Sequence, residues 1–92
     1  MTNPVIFNEA ERQYEQEIDG HIVFAKIRKQ DGTLYINHVE APAALRGTGA
    51  AGRFMNDFMQ LLRAEDVKKV VPFCGYAAHW LSKHPEYSDI AE

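Results

Sequence analysis

The stretch Ala44-Leu45-Arg46-Gly47-Thr48-Gly49-Ala50-Ala51 (ALRGTGAA) divides this 92-residue chain into two parts of different period. Before it, apolar residues alternate as in strands. After it, they recur every three to four positions. A strand-to-helix connector needs one glycine, yet here two glycines bracket Thr48, Arg46 stands in front, and nothing bulkier than alanine follows until Arg53. Such a stretch clears backbone for the close approach of something else.

Upstream, Asp19-Gly20 separates RQYEQEI from HIVFAKIRKQ, and Asp31-Gly32 separates that run from TLYINHV. Asp-Gly between alternating runs is the strongest short-range hairpin signal. The reading is an antiparallel meander, preceded by a shorter strand near Val5–Asn8. Tyr14, Gln16 and Ile18 alternate with charged neighbours, as do Val23, Ala25 and Ile27, so one face of the sheet packs on helices. Pro42 stops the meander and predicts a loop over Ala41–Leu45.

Downstream, Ala50/Ala51, Phe54/Met55, Phe58/Met59 and Leu61/Leu62 make one broad apolar stripe, opposite Asn56, Asp57, Gln60 and Arg63. VKKVVPF (Val67–Phe73) predicts a further strand, buried at Val70 and Val71. A short helix over Tyr76–Lys83 ends at His84-Pro85. The fold class is α+β: a mainly antiparallel meander sheet, one long amphipathic helix and a short C-terminal helix.

The composition, 46% hydrophobic and 25% charged, is that of a globular protein in a single domain over residues 1–92. No apolar run spans a bilayer, and MTNPVIFNEAERQ has neither a basic n-region nor an apolar h-region, so neither a membrane segment nor a signal peptide is expected. A single cysteine, Cys74, excludes an intrachain disulfide framework and, with the missing signal, predicts a cytoplasmic protein. The net charge of −3 argues against a dedicated nucleic-acid binder.

A glycine-flanked helix start is a ready anion site. The first-turn N–H groups are unpaired, the helix dipole adds partial positive charge, and Arg46 offers a fixed cation. As a bare loop the stretch reads equally well as a tight connector with a solvated arginine. It lacks the Lys-Ser/Thr ending of a P-loop, and neither GxGxxG nor a βαβ unit is present, which disfavours nucleotide hydrolysis and a dinucleotide fold.

Arg46-Gly47-Thr48-Gly49-Ala50-Ala51 resembles R/Q-x-x-G-x-G/A, the pyrophosphate signature of the GNAT acyl-CoA-dependent N-acetyltransferases. As in that superfamily, it follows a meander ending in V-x-x-P and opens an amphipathic helix. The minimal GNAT-like branch is closer still. Its pattern is matched by Asp19-Gly20-His21, Leu34-Tyr35…His38…Glu40…Pro42, Arg46-Gly47-Thr48-Gly49, Val70-Val71-Pro72…Cys74 and Lys83-His84-Pro85-Glu86-Tyr87. The resemblance runs from about Asp19 to Tyr87.

The resemblance implies acetyl-CoA as cosubstrate, with the strands on either side of the long helix splayed. Its pyrophosphate would lie on the backbone N–H groups of Gly47, Thr48, Gly49, Ala50 and Ala51, with Arg46 beside it and Leu45 counted with the cofactor-binding residues. Its pantetheine arm would pair with backbone at Val39, Glu40 and Ala41. Thr48 replaces a basic residue often found in the loop, for which Lys83 is a possible substitute. The thioester would then point toward Cys74.

Acetyl transfer needs a base for the amine and an acid for the departing thiolate. The tyrosine that larger relatives use as acid corresponds to Leu81, so it is missing. The candidates are Cys74, as nucleophile or proton donor, and His38, whose alternation with Leu34 and Ile36 predicts that it faces the packed side; Glu40 reads as an exposed strand end. A zinc site of Cys74, His79 and His84 is not expected, since the spacing fits no closed motif. Trp80 reads as the core anchor of the short helix. Two functions stay open: acetyl transfer to an amine, protein lysines and N-termini included, or a non-catalytic acyl-CoA sensor or interaction module.

Overall fold

The computed structural model describes residues 3–91. Five strands form one sheet in the order β1 (Ile6–Asn8), β2 (Gln13–Ile18), β3 (His21–Gln30), β4 (Thr33–Glu40) and β5 (Lys69–Pro72). The first four pair antiparallel and β5 lies parallel to β4. A parallel neighbour requires a crossover, which helix α1 (Ala50–Ala64) supplies. Helix α2 (Gly75–Ser82) and a 3₁₀ turn at Pro85–Tyr87 follow β5.

Both Asp-Gly pairs make two-residue turns. Asp19 and Gly20 have φ of 51° and 79°, Asp31 and Gly32 of 54° and 83°. Two successive left-handed residues match the twist of a hairpin, and few pairs other than Asx-Gly adopt them without strain.

Tyr14, Val23, Ala25, Ile27, Leu34 and Ile36 point to one face of the sheet and are buried there. Phe54, Met55, Phe58, Met59 and Leu62 of α1 meet them, and Ala77, Trp80 and Leu81 of α2 join the same core. Burying each large apolar side chain contributes about 1.5–3 kcal/mol. Two polar links tie the sheet to α1: the Tyr14 hydroxyl donates to Glu65 Oε1 (2.8 Å), and the Gln16 amide donates to Asp57 Oδ2 (2.8 Å). Burial and the Glu65 carboxylate push the Tyr14 phenol far above its ordinary value.

Both helices lie on this one face. The opposite face carries Ile22, Phe24, Lys26 and Arg28 of β3 and Tyr35 of β4, none of them buried. Three details depart from the sequence reading. Val71 is half-buried, because β5 alternates and only Val70 points inward. The predicted strand over Val67–Phe73 contracts to Lys69–Pro72, and the predicted loop after Pro42 contains a 3₁₀ turn at Ala43–Leu45.

Candidate active site

The strands β4 and β5 pair from Thr33↔Lys69 to Ile36↔Pro72 and no further. Beyond that point Phe73 N and Cys74 N both donate to the carbonyl of Ile36, at 2.9 and 3.0 Å. The β4 strand runs on to Glu40, still paired with β3, while the chain leaving β5 turns into α2. The two strands therefore splay at Ile36, and a cleft of about 510 Å³ opens past it. Its walls are the β4 arm from His38 to Ala41, the following loop through Arg46, Ala51 of α1, and Tyr76 of α2.

The loop into α1 is built backward from a buried anchor. Leu45 is 4% exposed and closes the 3₁₀ turn by donating its N–H to Pro42 O (2.9 Å). Gly47 and Gly49 then take φ of 79° and 80°, and Gly49 caps α1 in the left-handed region. Thr48 lies between them, its hydroxyl donating to Leu45 O (2.6 Å) and accepting Ala50 N–H (3.2 Å).

This arrangement sorts the backbone donors. Thr48 N–H bonds Leu45 O, Arg46 N–H bonds Ala43 O, and Ala50 N–H meets Thr48. Among the described residues, the N–H groups of Gly47, Gly49, Ala51 and Gly52 have no acceptor. A Cβ built at Gly47 or Gly49 would meet nothing within 4 Å, so the space over the loop is open. Arg46 is exposed beside it, with no carboxylate partner among the described residues. The positive end of the helix dipole, free amides and a fixed cation suit the oxygens of a pyrophosphate. Of the sequence candidates here, Leu45 and Ala50 have buried side chains, which leaves only their backbone to a ligand.

His38 does not face the packed side. Lys26 pairs with His38, but its neighbour Ile27 pairs with Ile36, so Asn37 is an extra residue in β4. That bulge shifts the alternation by one position: Ile36 and Val39 point into the core, and His38 emerges on the open face. There His38 Nε2 meets Glu40 Oε1 at 3.0 Å, both side chains being about half exposed, and the imidazole and the Phe24 ring meet in an edge-type contact with centroids 6.5 Å apart. Glu40, read as a bare strand end, is thus the partner that orients His38.

Cys74 is a free, half-buried thiol at the apex of the splay and the N-cap residue of α2. It packs against the core edge and is not among the residues walling the cleft. Tyr76, two positions on, is among them, and sequence reasoning missed it. Partial burial, with a smaller effect from Cys74, raises the Tyr76 phenol above its ordinary value, although the residue as a whole is 40% exposed. Leu81, at the position where the resemblance looks for a tyrosine, is buried in the core. Lys83 caps the end of α2, about 10 Å of helical rise beyond Tyr76, and does not line the cleft.

Among the described residues no helix is long and apolar enough to cross a membrane. None of the curated proteins matches this chain. Among solved structures, the chain is similar to the solution NMR structure of a GCN5-like N-acetyltransferase candidate from Staphylococcus aureus. The two share 18% identity at a TM-score of 0.63, over 100% of this chain and 91% of that one, which establishes a common fold. The model of the GCN5-related N-acetyltransferase family matches residues 12–90. That span holds the meander, the bulged β4, the glycine-flanked helix start and the splayed β5 together, and on it the chain belongs to the GCN5-related N-acetyltransferase family.

Proposed function

We propose that this chain binds acetyl-CoA and transfers its acetyl group to an amine. The observation that carries the reading is the set of free amides at Gly47, Gly49, Ala51 and Gly52, beside Arg46 and at the entrance to the β4–β5 splay. The pyrophosphate would lie on those amides, and the pantetheine arm would enter the cleft along Val39, Glu40 and Ala41.

In the transfer, the amine nitrogen bonds to the acetyl carbonyl carbon and the carbon–sulfur bond breaks, leaving CoA thiolate. The amine proton passes to His38, whose ring Glu40 holds by the other nitrogen's side of the imidazole. The thiolate takes a proton from the Cys74 thiol, at the apex of the splay, or from the Tyr76 hydroxyl, which lies against Gly52 in the first turn of α1. Whichever group acts must still carry its proton when the thiolate forms.

Calorimetry with CoA, followed by acetyl-CoA turnover over a mixed panel of amines, tests the proposal. Binding without turnover of any amine would favour the second reading, an acyl-CoA sensor, which the absence of a tyrosine at position 81 supports. Lack of CoA binding by the folded protein would remove both.

A further inference from the structure

His38 and Glu40 wall the cleft and yet project from the open face of the sheet, so the cleft has an exit there. On the same face, at the apex of the splay, Tyr35 and Phe73 stack with centroids 5.3 Å apart and planes 22° from parallel. Phe73 is 65% exposed, the highest value for a large apolar residue among the described residues, and it immediately precedes Cys74. The guanidinium of Arg28 lies 4.9 Å from the Tyr35 centroid and has no carboxylate partner among the described residues. This aromatic pair, with Phe73 exposed and a cation that lacks a carboxylate partner, stands where β4 and β5 part and belongs neither to the buried core nor to the walls of the cleft.

We propose that this platform receives the acceptor, and that the acceptor is a polypeptide. Its amine enters the splay beside His38, an apolar side chain lies on Phe73, and a neighbouring carboxylate meets Arg28. The inference rests on the acetyl-CoA reading above and adds the class of the acceptor. Two features favour a polypeptide over a small amine. The platform is the flat outer face of a sheet with both helices on its other side, whereas small ligands are held in concave sites that enclose most of their surface. Its apolar and cationic parts are also set apart across the strands, with Arg28 on β3, Tyr35 on β4 and Phe73 just past β5, a span that an extended chain laid over the face covers with separate side chains. Arg28 fixes the sign: a carboxylate beside the acceptor amine is favoured and a second cation is not.

The test uses the whole protein saturated with CoA and synthetic nonapeptides with one central lysine. One peptide carries phenylalanine and aspartate within two positions of the lysine, one carries lysine in place of the aspartate, and one has only glycine and serine neighbours. Backbone NMR shifts report binding. The proposal expects shifts at Tyr35, Phe73 and Arg28, with the phenylalanine–aspartate peptide binding about tenfold tighter than the glycine–serine one. Arg28→Glu should reverse the preference between the aspartate and lysine peptides, and Phe73→Ala should weaken both, while shifts from CoA at Gly47–Ala51 persist. Both side chains are exposed, so both variants should fold. CoA shifts with no peptide shift at Phe73 or Arg28, or an unchanged preference in Arg28→Glu, would overturn the proposal. Absent CoA shifts would instead mark failure of the underlying cosubstrate reading, and the proposal with it.

Discussion

The indole of Trp80 and the imidazole of His84 stack with ring centroids 3.6 Å apart and planes 12° from parallel. The same indole reaches α1, where a Cβ at Gly52 would stand 3.5 Å from its Nε1. Trp80 therefore links the C-terminal turn to the first turn of α1, next to the free amides. It is also the chain's one tryptophan. His84→Ala should raise its emission, by removing a stacked quencher, and cost about 0.5–1.5 kcal/mol. Addition of CoA to the wild type should change the emission too. Fluorescence unaltered in both experiments would separate Trp80 from the site.

Two nearby glycines should respond to alanine with opposite signs. Gly49 has φ of 80°, where a side chain is strained whatever the space around it, so Gly49→Ala should cost about 1–2 kcal/mol. Gly52 is helical, and its added methyl would make ordinary contact with Trp80, so Gly52→Ala should gain up to about 1 kcal/mol from helix propensity. Chemical denaturation of the two variants checks the pair. Equal effects would mean that the left-handed helix cap is misplaced.

Arg46→Ala should weaken CoA binding about tenfold, or roughly 1.4 kcal/mol, and leave the melting temperature unchanged. The side chain is exposed and tied to nothing in the fold. Calorimetry at two salt concentrations is the check: the wild type should lose more affinity in high salt than the variant does.

Tyr76→Phe and Cys74→Ala divide the duty of acid between two residues. The residue that protonates CoA thiolate should lower turnover by about 10²-fold when replaced, with CoA affinity kept. The other variant should stay near wild type. Incubation with acetyl-CoA distinguishes a further role, because a nucleophilic Cys74 would carry an acetyl thioester, seen as a mass gain that hydroxylamine removes.

The C-terminal turn is held by charge. Arg63 donates to both oxygens of Asp89, at 3.1 and 2.6 Å, and to Glu86 O at 2.7 Å. The hydrogen bond from Arg63 holds the Asp89 carboxyl below its ordinary value, and Glu86 is lowered mainly by its bond with His84. A carboxylate with a depressed folded-state value contributes stability above its unfolded value, and that contribution fades as pH falls through the folded one. Asp89→Asn should therefore melt lower than wild type at neutral pH, the two converging in acid below the ordinary aspartate range. A constant difference at all pH values would exclude the ion pair as the cause.

How much of this was legible in the sequence depended on how local each cause is. The Asp-Gly turns and the α1 stripe were, because two-residue hairpins and helix faces are set by adjacent residues. The glycine-flanked helix start was legible for the same reason, but not the way in which Thr48 uses up the Ala50 amide. The face taken by His38 was hidden, since it turns on a bulge at Asn37 that arises from pairing across to β3, and nothing in TLYINHVE marks it. Tyr76 was missed because its place in the cleft depends on where β4 and β5 part. Its position two residues after Cys74, in the first turn of the last helix, was the available signal.

The segment after the final 3₁₀ turn also guards an edge. Val70 N–H donates to Ile90 O at 2.7 Å, and Val70 bridges Ala91, so this stretch lies along the outer rim of β5. An unshielded outer strand is a template on which other copies can add. At the far end of the sheet, β1 is only three residues long, too short a template to propagate. The Arg63–Asp89 clasp therefore bears on solubility as well as on melting: whatever frees the last turn also uncovers the rim on which strands of separate molecules could assemble.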